Sequence, residues 1–185
     1  VEIIIFHVGL EDSEPILRKC LALGADSAVR VNVKANDSLQ VAKEIAQYVN
    51  ENPVDLILMG KESIDYNAGL VHHYTAKLLA WSHFSPVMQL EIDNLSICKL
   101  KVESSMGTVQ LTSQLPLVLG CQEPIAEWKI PSMRGIMAAR AKTIVTRQAS
   151  IPVSLVYEKD EVKEQNRKGK IIQRENLNEL IEIII

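Results

Sequence analysis

Positive charge is not in excess in this sequence: 20 Lys and Arg stand against 23 Asp and Glu, a formal charge of −3. The two signs are interspersed, so neither a basic surface for nucleic acid nor a solvated tail of one sign is indicated. Cysteine is scarce. Cys20, Cys98 and Cys121 are odd in number, widely spaced and set among apolar residues. That pattern speaks against a disulfide framework and suits small buried residues in a reducing compartment. No Cys-x-x-Cys pair or His/Cys cluster points to a metal. No apolar run reaches the roughly 18–20 residues that a bilayer-spanning helix requires. A Ser-His-Asp order and a catalytic cysteine signature are also missing, so no nucleophile announces itself.

What is present is a chain of 185 residues, enough for one domain with a substantial core. It opens inside a strand, "VEIIIFHVG", without an initiator Met, and stops mid-pattern at "LNELIEIII". Both termini are therefore expected to be cut edges. The first strand is a continuous β-branched run closing on Gly9, as in a strand buried on both faces. Ile16, Leu17, Cys20 and Leu21 share a helical face, with Ser13 placed to cap and Gly24 to terminate. "SAVRVNV" gives a short strand. Asp37 then caps a helix whose apolar stripe is Leu39, Ala42, Ile45, Ala46 and Val49, stopped by Asn52-Pro53. "VDLILMG" is another buried strand, and Val71, Tyr74, Leu78 and Trp81 return at helical spacing. Alternating β and α with continuous apolar strands predicts a mostly parallel, Rossmann-like α/β sheet with helices on both faces.

The period then changes to two. Met88, Leu90 and Ile92, then Cys98, Leu100 and Val102, then Val109, Leu111, Leu115, Leu117 and Leu119 alternate with polar residues. These segments predict an antiparallel addition to the sheet, with turns at Asp93-Asn94 and at Ser104–Gly107. Residues 121–142 read as irregular. "IPVSLVY" reads as a last strand, and Leu177, Leu180, Ile181 and Ile184 as a short helix on a C-terminal arm with Asn176 and Glu179 in an approximate capping box.

The stretch between Gly60 and Val71 is the candidate site. In an open parallel sheet, ligands sit beyond the carboxyl ends of strands, beside helix N-termini that favour anions. There is no GxxxxGK[ST] here, so the residues alone leave two readings: a phosphate-holding βα junction or a plain structural turn. His72 and His73 are adjacent on one helix, so they are expected to face different directions, not to ligate one ion together, and to be partly exposed helix residues. Glu62 and Asp65, without a nucleophile, read as capping and solvated groups. Trp81 reads as core, and Trp128 as a loop residue over the core or an interface anchor.

Several phrases, in order, resemble one family. "GADSAVRV", "VDLILMGKESID", a following helix ending in "AW", "KLKVE", "QLPLVLGCQEP" and "IMAARAK" resemble the beta subunit of electron-transferring flavoprotein, from about Gly9 to Lys142. The resemblance implies a Rossmann-like domain over 1–156 that lacks its first strand and helix, with a C-terminal arm, 157–185, contacting an alpha subunit. It implies a structural AMP in this subunit and a FAD held mainly by the alpha subunit. Cofactor-binding would fall to Val8 and Gly9, and to Gly60, Lys61, Glu62, Ser63, Ile64, Asp65, Tyr66, Asn67, Ala68, Gly69, Leu70 and Val71.

Where the family has a polar run, this chain has "YNAGLVHH". Leu70 and Val71 offer no side-chain donor, which leaves Asn67, Ser63 and backbone N–H groups for a phosphate. The segment 121–142 resembles the recognition loop that docks onto acyl-CoA dehydrogenases. Met133 stands at the anchor position, accompanied by Arg134, Ile136, Met137, Arg140 and Lys142. No catalytic residue is implied, because the chemistry is the flavin's. The implied role is an electron carrier in fatty acid oxidation, passing electrons to a membrane quinone reductase or another acceptor, in the bacterial cytoplasm or the mitochondrial matrix. Two alternatives stand beside it: an electron-bifurcating subunit with FAD in the beta site, and a stand-alone adenine-nucleotide sensor or hydrolase.

Overall fold

The computed structural model describes residues 1–152, apart from 65, 66, 94–96 and 128, together with residue 181. The first half follows the apolar periodicity. Strand β1 (Ile4–Val8) leads through a 3-10 turn, Glu11–Ser13, into helix α1 (Glu14–Leu23). Then come β2 (Ser27–Asn32), α2 (Ser38–Glu51), β3 (Leu56–Gly60) and α3 (Val71–Leu79). Gly24 ends α1 at φ 125°, a backbone conformation that a side chain would strain. The Asp37 carboxylate accepts from the Gln40 amide at 2.7 Å and caps α2, as the sequence predicts. Ser13 does not cap α1. Its hydroxyl donates instead to the Leu10 carbonyl, 2.6 Å away, because the 3-10 turn already holds the chain there. Leu17 and Leu21 are buried on α1, whereas Ile16 is 61% exposed.

The second half brings β4 (Ser82–Asp93), β5 (Ile97–Ser104), β6 (Gly107–Gln114), β7 (Leu117–Cys121), α4 (Met133–Ala141) and β8 (Ile144–Gln148). The expected hairpin turn at Ser104–Gly107 is present: Ser104 pairs with Gly107, and Gly107 has φ 121°. Two expectations need correction, and β8 is a strand that the periodicity did not predict. Residues 108–120 are not one antiparallel strand. The chain turns at Leu115-Pro116, and β7 then runs parallel between β3 and β4. Proline cannot donate to a ladder, and the unbroken Leu117–Gly120 run, buried throughout, is that of a central strand. Residues 121–142 are not wholly irregular, since α4 lies within them, capped by the Ser132 hydroxyl, which accepts from the Gly135 amide. The last described strand is β8 at 144–148, ahead of the expected "IPVSLVY". The rest of that segment lies outside the described residues, as does the arm except for Ile181, which is helical.

The strands form two sheets, ordered β1-β2-β8 and β3-β7-β4-β5-β6. The pairings β1·β2, β2·β8, β3·β7 and β4·β7 are parallel; β4·β5 and β5·β6 are antiparallel. This is a Rossmann-like, mostly parallel α/β arrangement with an antiparallel addition. One core joins Val87, Cys98, Leu100, Val102, Leu117 and Leu119. A fully buried leucine such as Leu117 contributes about 1.5–3 kcal/mol relative to exposure. A second core, Leu17, Leu21, Ala25, Ala28 and Ala139, lies where α1 meets β2 and α4. Glu44 of α2 is buried, yet it accepts from the amides of Ser150 and Ile151 and from the Ser150 hydroxyl. Those bonds tie the chain after β8 to α2 and satisfy a carboxylate that burial would otherwise penalise.

Candidate functional site

A cleft of about 1050 Å³ opens beyond the carboxyl ends of β1 and β2. Its walls are His7, Val8 and Gly9, the turn residues Asp12 and Ser13, the segment Val33–Leu39 leading into α2, and Ser63, Ala68, Leu70, Val71 and Tyr74 around the start of α3. The end of β1 demands a small residue. A Cβ on Gly9 would stand 2.3 Å from His7 Nε2, so the imidazole lies against this backbone. Burial, and then the nearby Arg30 guanidinium, hold the His7 pKa below its usual 6.5, against an opposing pull from Asp12.

Arg30 is a buried cation beside the Gly9 lip and does not line the cleft. Its Nη1 donates to the Gly9 carbonyl at 3.2 Å and to Asn32 Oδ1 at 2.8 Å, and its Nη2 reaches Glu14 Oε1 at 3.2 Å. The fork thereby fixes the β1–α1 lip against β2. A lone arginine inside an otherwise apolar strand is the sequence signal for this.

Two helix N-termini face the cleft, and they differ. At α2 the Asp37 carboxylate already accepts from the Gln40 amide. At α3, among the described residues, no side chain caps the helix, whose N-cap position is Leu70. The orphan N–H groups of its first turn carry partial positive charge. The loop before it is closed on itself: Ser63 N donates to the Ala68 carbonyl at 3.1 Å, and Ala68 N to Ser63 Oγ at 3.4 Å. Gly69 is closely packed, since a Cβ there would lie 3.0 Å from the Lys61 carbonyl. An anionic group entering this cleft would find amide donors at α3 and a carboxylate at α2.

Of the residues expected to bind cofactor, Val8, Gly9, Ser63, Ala68, Leu70 and Val71 line the cleft. Gly60 ends β3, and Lys61, Glu62, Ile64, Asn67 and Gly69 belong to the loop after it; none of these lines the cleft. The Lys61 ammonium lies 3.9 Å from the Glu62 carboxylate, and its amide donates to the Cys121 carbonyl. Asp65 and Tyr66 lie outside the described residues. Sequence reasoning missed His7, Asp12, the segment from Val33 to Leu39 and Tyr74. The available signal was the β2–α2 junction itself, another strand end followed by a helix start.

The inner face of α3 differs from expectation. His72, Thr75 and Ala76 are buried, while Tyr74 and Leu78 are exposed, a rotation of one residue. Trp81 is half-buried and Trp128 lies outside the described residues. His72 and His73 do not diverge. Their ring centroids are 4.3 Å apart, and His83 of β4 lies 4.9 and 4.4 Å from them. His72 Nε2 donates to the Lys61 carbonyl at 2.8 Å, which leaves Nδ1 to accept from His83 Nε2, also at 2.8 Å. His73 Nδ1 donates to the Gly69 carbonyl at 2.9 Å. Burial, with its two histidine neighbours, pushes the His83 pKa down to about 4.

Of the residues expected to bind partners, Met133, Arg134, Ile136, Met137 and Arg140 are exposed on α4, with Met133 at 75%. Lys142 is engaged within the chain: its ammonium donates to the Ala25 carbonyl at 2.5 Å and fastens the end of α4 to the α1–β2 turn.

Fold and cleft together define a Rossmann-like α/β domain, the class whose ligands sit beyond strand carboxyl ends. Residues 1–152 match the family model described as the electron transfer flavoprotein domain. The chain is similar to the electron transfer flavoprotein subunit beta of Bacillus subtilis, 32% identical over 142 residues, covering 74% of this chain and 54% of that one. It is 30% identical over 150 residues to the corresponding subunits of Methylophilus methylotrophus, covering 78% and 56% of the two chains, and of Bos taurus, covering 77% and 58%. The chain belongs to the electron transfer flavoprotein family, among its beta subunits. It spans 54–58% of the length of these relatives.

Proposed function

We propose that this chain is the beta-subunit portion of a two-subunit flavin electron carrier and that the cleft beyond β1 and β2 holds an adenylate, AMP, in a structural role. The observation that carries the reading is the helix N-terminus of α3, without a side-chain cap among the described residues, opening on a cleft of about 1050 Å³. The amides of its first turn and the Ser63 hydroxyl would take the phosphate, and Val8 and Gly9 would lie against the ribose or adenine. The donor set fits: Leu70 and Val71 contribute backbone rather than side chains, and Asp37 at α2 directs an anion to α3 instead. A FAD held mainly by an alpha subunit would supply the redox chemistry. This chain's residues would hold the nucleotide, shape the interface and present α4 to acyl-CoA dehydrogenases or similar flavoenzymes. It would be a carrier and not an enzyme.

Co-expression with the alpha partner, followed by mass spectrometry and absorbance of the released ligands, tests the proposal. AMP and one FAD per pair are expected. Two flavins per pair would place FAD in the cleft, as in a bifurcating subunit. A pair that releases neither adenylate nor flavin would overturn the reading, and ATP turnover by the single chain would favour a hydrolase.

A further inference from the structure

Three of the four histidines of the chain converge at the first turn of α3. One nitrogen from each of His72, His73 and His83 lies within 4.8 Å of the other two. Tetrahedral coordination with metal–nitrogen distances near 2.0–2.1 Å places ligand nitrogens about 3.3 Å apart, so modest side-chain rotation closes the set. The hydrogen bonds around the rings are those a metal site needs. A ligating histidine characteristically donates its second ring N–H to a carbonyl or carboxylate, which fixes its tautomer. His72 does this through Nε2 to Lys61, and His73 through Nδ1 to Gly69, at 2.8 and 2.9 Å. The nitrogens left over are His72 Nδ1 and His73 Nε2. His72 also lies close against β7: a Cβ on Gly120 would stand 3.0 Å from its Nε2, and nearer still, 2.4 Å, to Ser85 Oγ.

We propose that His72, His73 and His83 bind one borderline divalent transition-metal ion of the zinc type, joining β4 to the start of α3 and to the β3–α3 loop. Imidazole nitrogen selects zinc, cobalt, nickel or copper over magnesium or calcium. The ion replaces the hydrogen bond between His83 and His72. The proton on His83 Nε2 is re-placed on Nδ1, so all three rings stay neutral and no net proton leaves the protein. His72 is buried and His73 exposed, so the fourth position opens towards solvent and takes water. The consequence is local order: the carbonyls of Lys61 and Gly69, which bracket the β3–α3 loop, become the outer support of the site. The proposal is independent of the nucleotide reading, because the three rings do not line the cleft.

The test uses the full chain, free of affinity tag and stripped with a chelator, titrated with zinc, cobalt and magnesium by calorimetry and by thermal unfolding. One zinc per chain, a raised Tm, a visible cobalt band of four-coordinate intensity and no response to magnesium are expected. His73→Ala and His83→Gln should each weaken zinc binding at least about tenfold. His73 is exposed, so its variant is expected to fold even where changes at buried His72 do not. His7→Gln serves as control and should bind as the parent does. Absence of stoichiometric zinc binding, parental affinity in both His73→Ala and His83→Gln, or loss of binding in His7→Gln would overturn the proposal.

Discussion

Gly135 of α4 lies against the Ala22 carbonyl of α1, so close that a Cβ on the glycine would stand 2.3 Å from that oxygen. The contact lets the two helices meet backbone to backbone. Arg18 strengthens it by donating to the carbonyls of Ala139, at 2.9 Å, and Lys142. Helix α4 is therefore an element of the second core that also carries an exposed apolar row on its other side.

Gly135→Ala should separate α1 from α4. The oxygen it meets belongs to helix backbone and cannot swing aside, so overpacking costs about 1–3 kcal/mol. Urea unfolding should show a lower midpoint with an unchanged slope.

Leu70→Asp should move stability and ligand affinity in opposite directions. A carboxylate beside the first-turn amides of α3 favours the helix by about 0.3–1 kcal/mol. The same charge repels a phosphate, so adenylate should bind at least about tenfold more weakly, a loss of ~1.4 kcal/mol. Thermal unfolding and calorimetric titration with AMP separate the two effects.

Acid should weaken the fold through His7. Its folded pKa lies below the unfolded value of 6.5, so its contribution is full above pH 6.5 and falls away as pH drops below it. His72 and His83 carry the same sign, with the His83 window running from 6.5 down to about 4. With a chelator present throughout, unfolding free energy should decline between those limits. The decline should be shallower in His7→Gln; an equal slope in parent and variant would contradict the assignment.

Met133→Ala tests the proposed partner surface. Met133 is 75% exposed at the first turn of α4, so truncation should leave the fold and cofactor content of the assembled pair unchanged. Electron transfer from an acyl-CoA dehydrogenase, followed by stopped-flow absorbance, should slow. An unaltered rate would remove Met133 as the anchor.

Local chemistry made much of this architecture legible. Asp37 caps α2 because its carboxylate reaches an amide three residues on, Gly24 ends α1 at a φ that suits glycine, and Gly107 makes the β5–β6 turn for the same reason. The placement of Gly60–Val71 as a loop between strand and helix was equally visible, and six of the expected cofactor residues do line the cleft. Distance defeats the same reasoning elsewhere. Period-two spacing is shared by edge and central strands, so it could not reveal that β7 leaves the hairpin to lie between β3 and β4. Helical spacing gives a face but not the neighbour that covers it, and α3 accordingly turned His72 inward, where an apolar stripe through Val71 was expected.

What the sequence determined alone was the alternation of strands and helices, their caps and turns, and the family to which the chain belongs. These depend on residues within a few positions of one another, or on phrases that keep their order. The tertiary structure alone decided that Arg30 braces the Gly9 lip, that α4 is clamped to α1, and that His83 joins two histidines eleven and ten positions earlier. Such contacts form only when packing brings remote segments together, and no local pattern encodes which segments those will be.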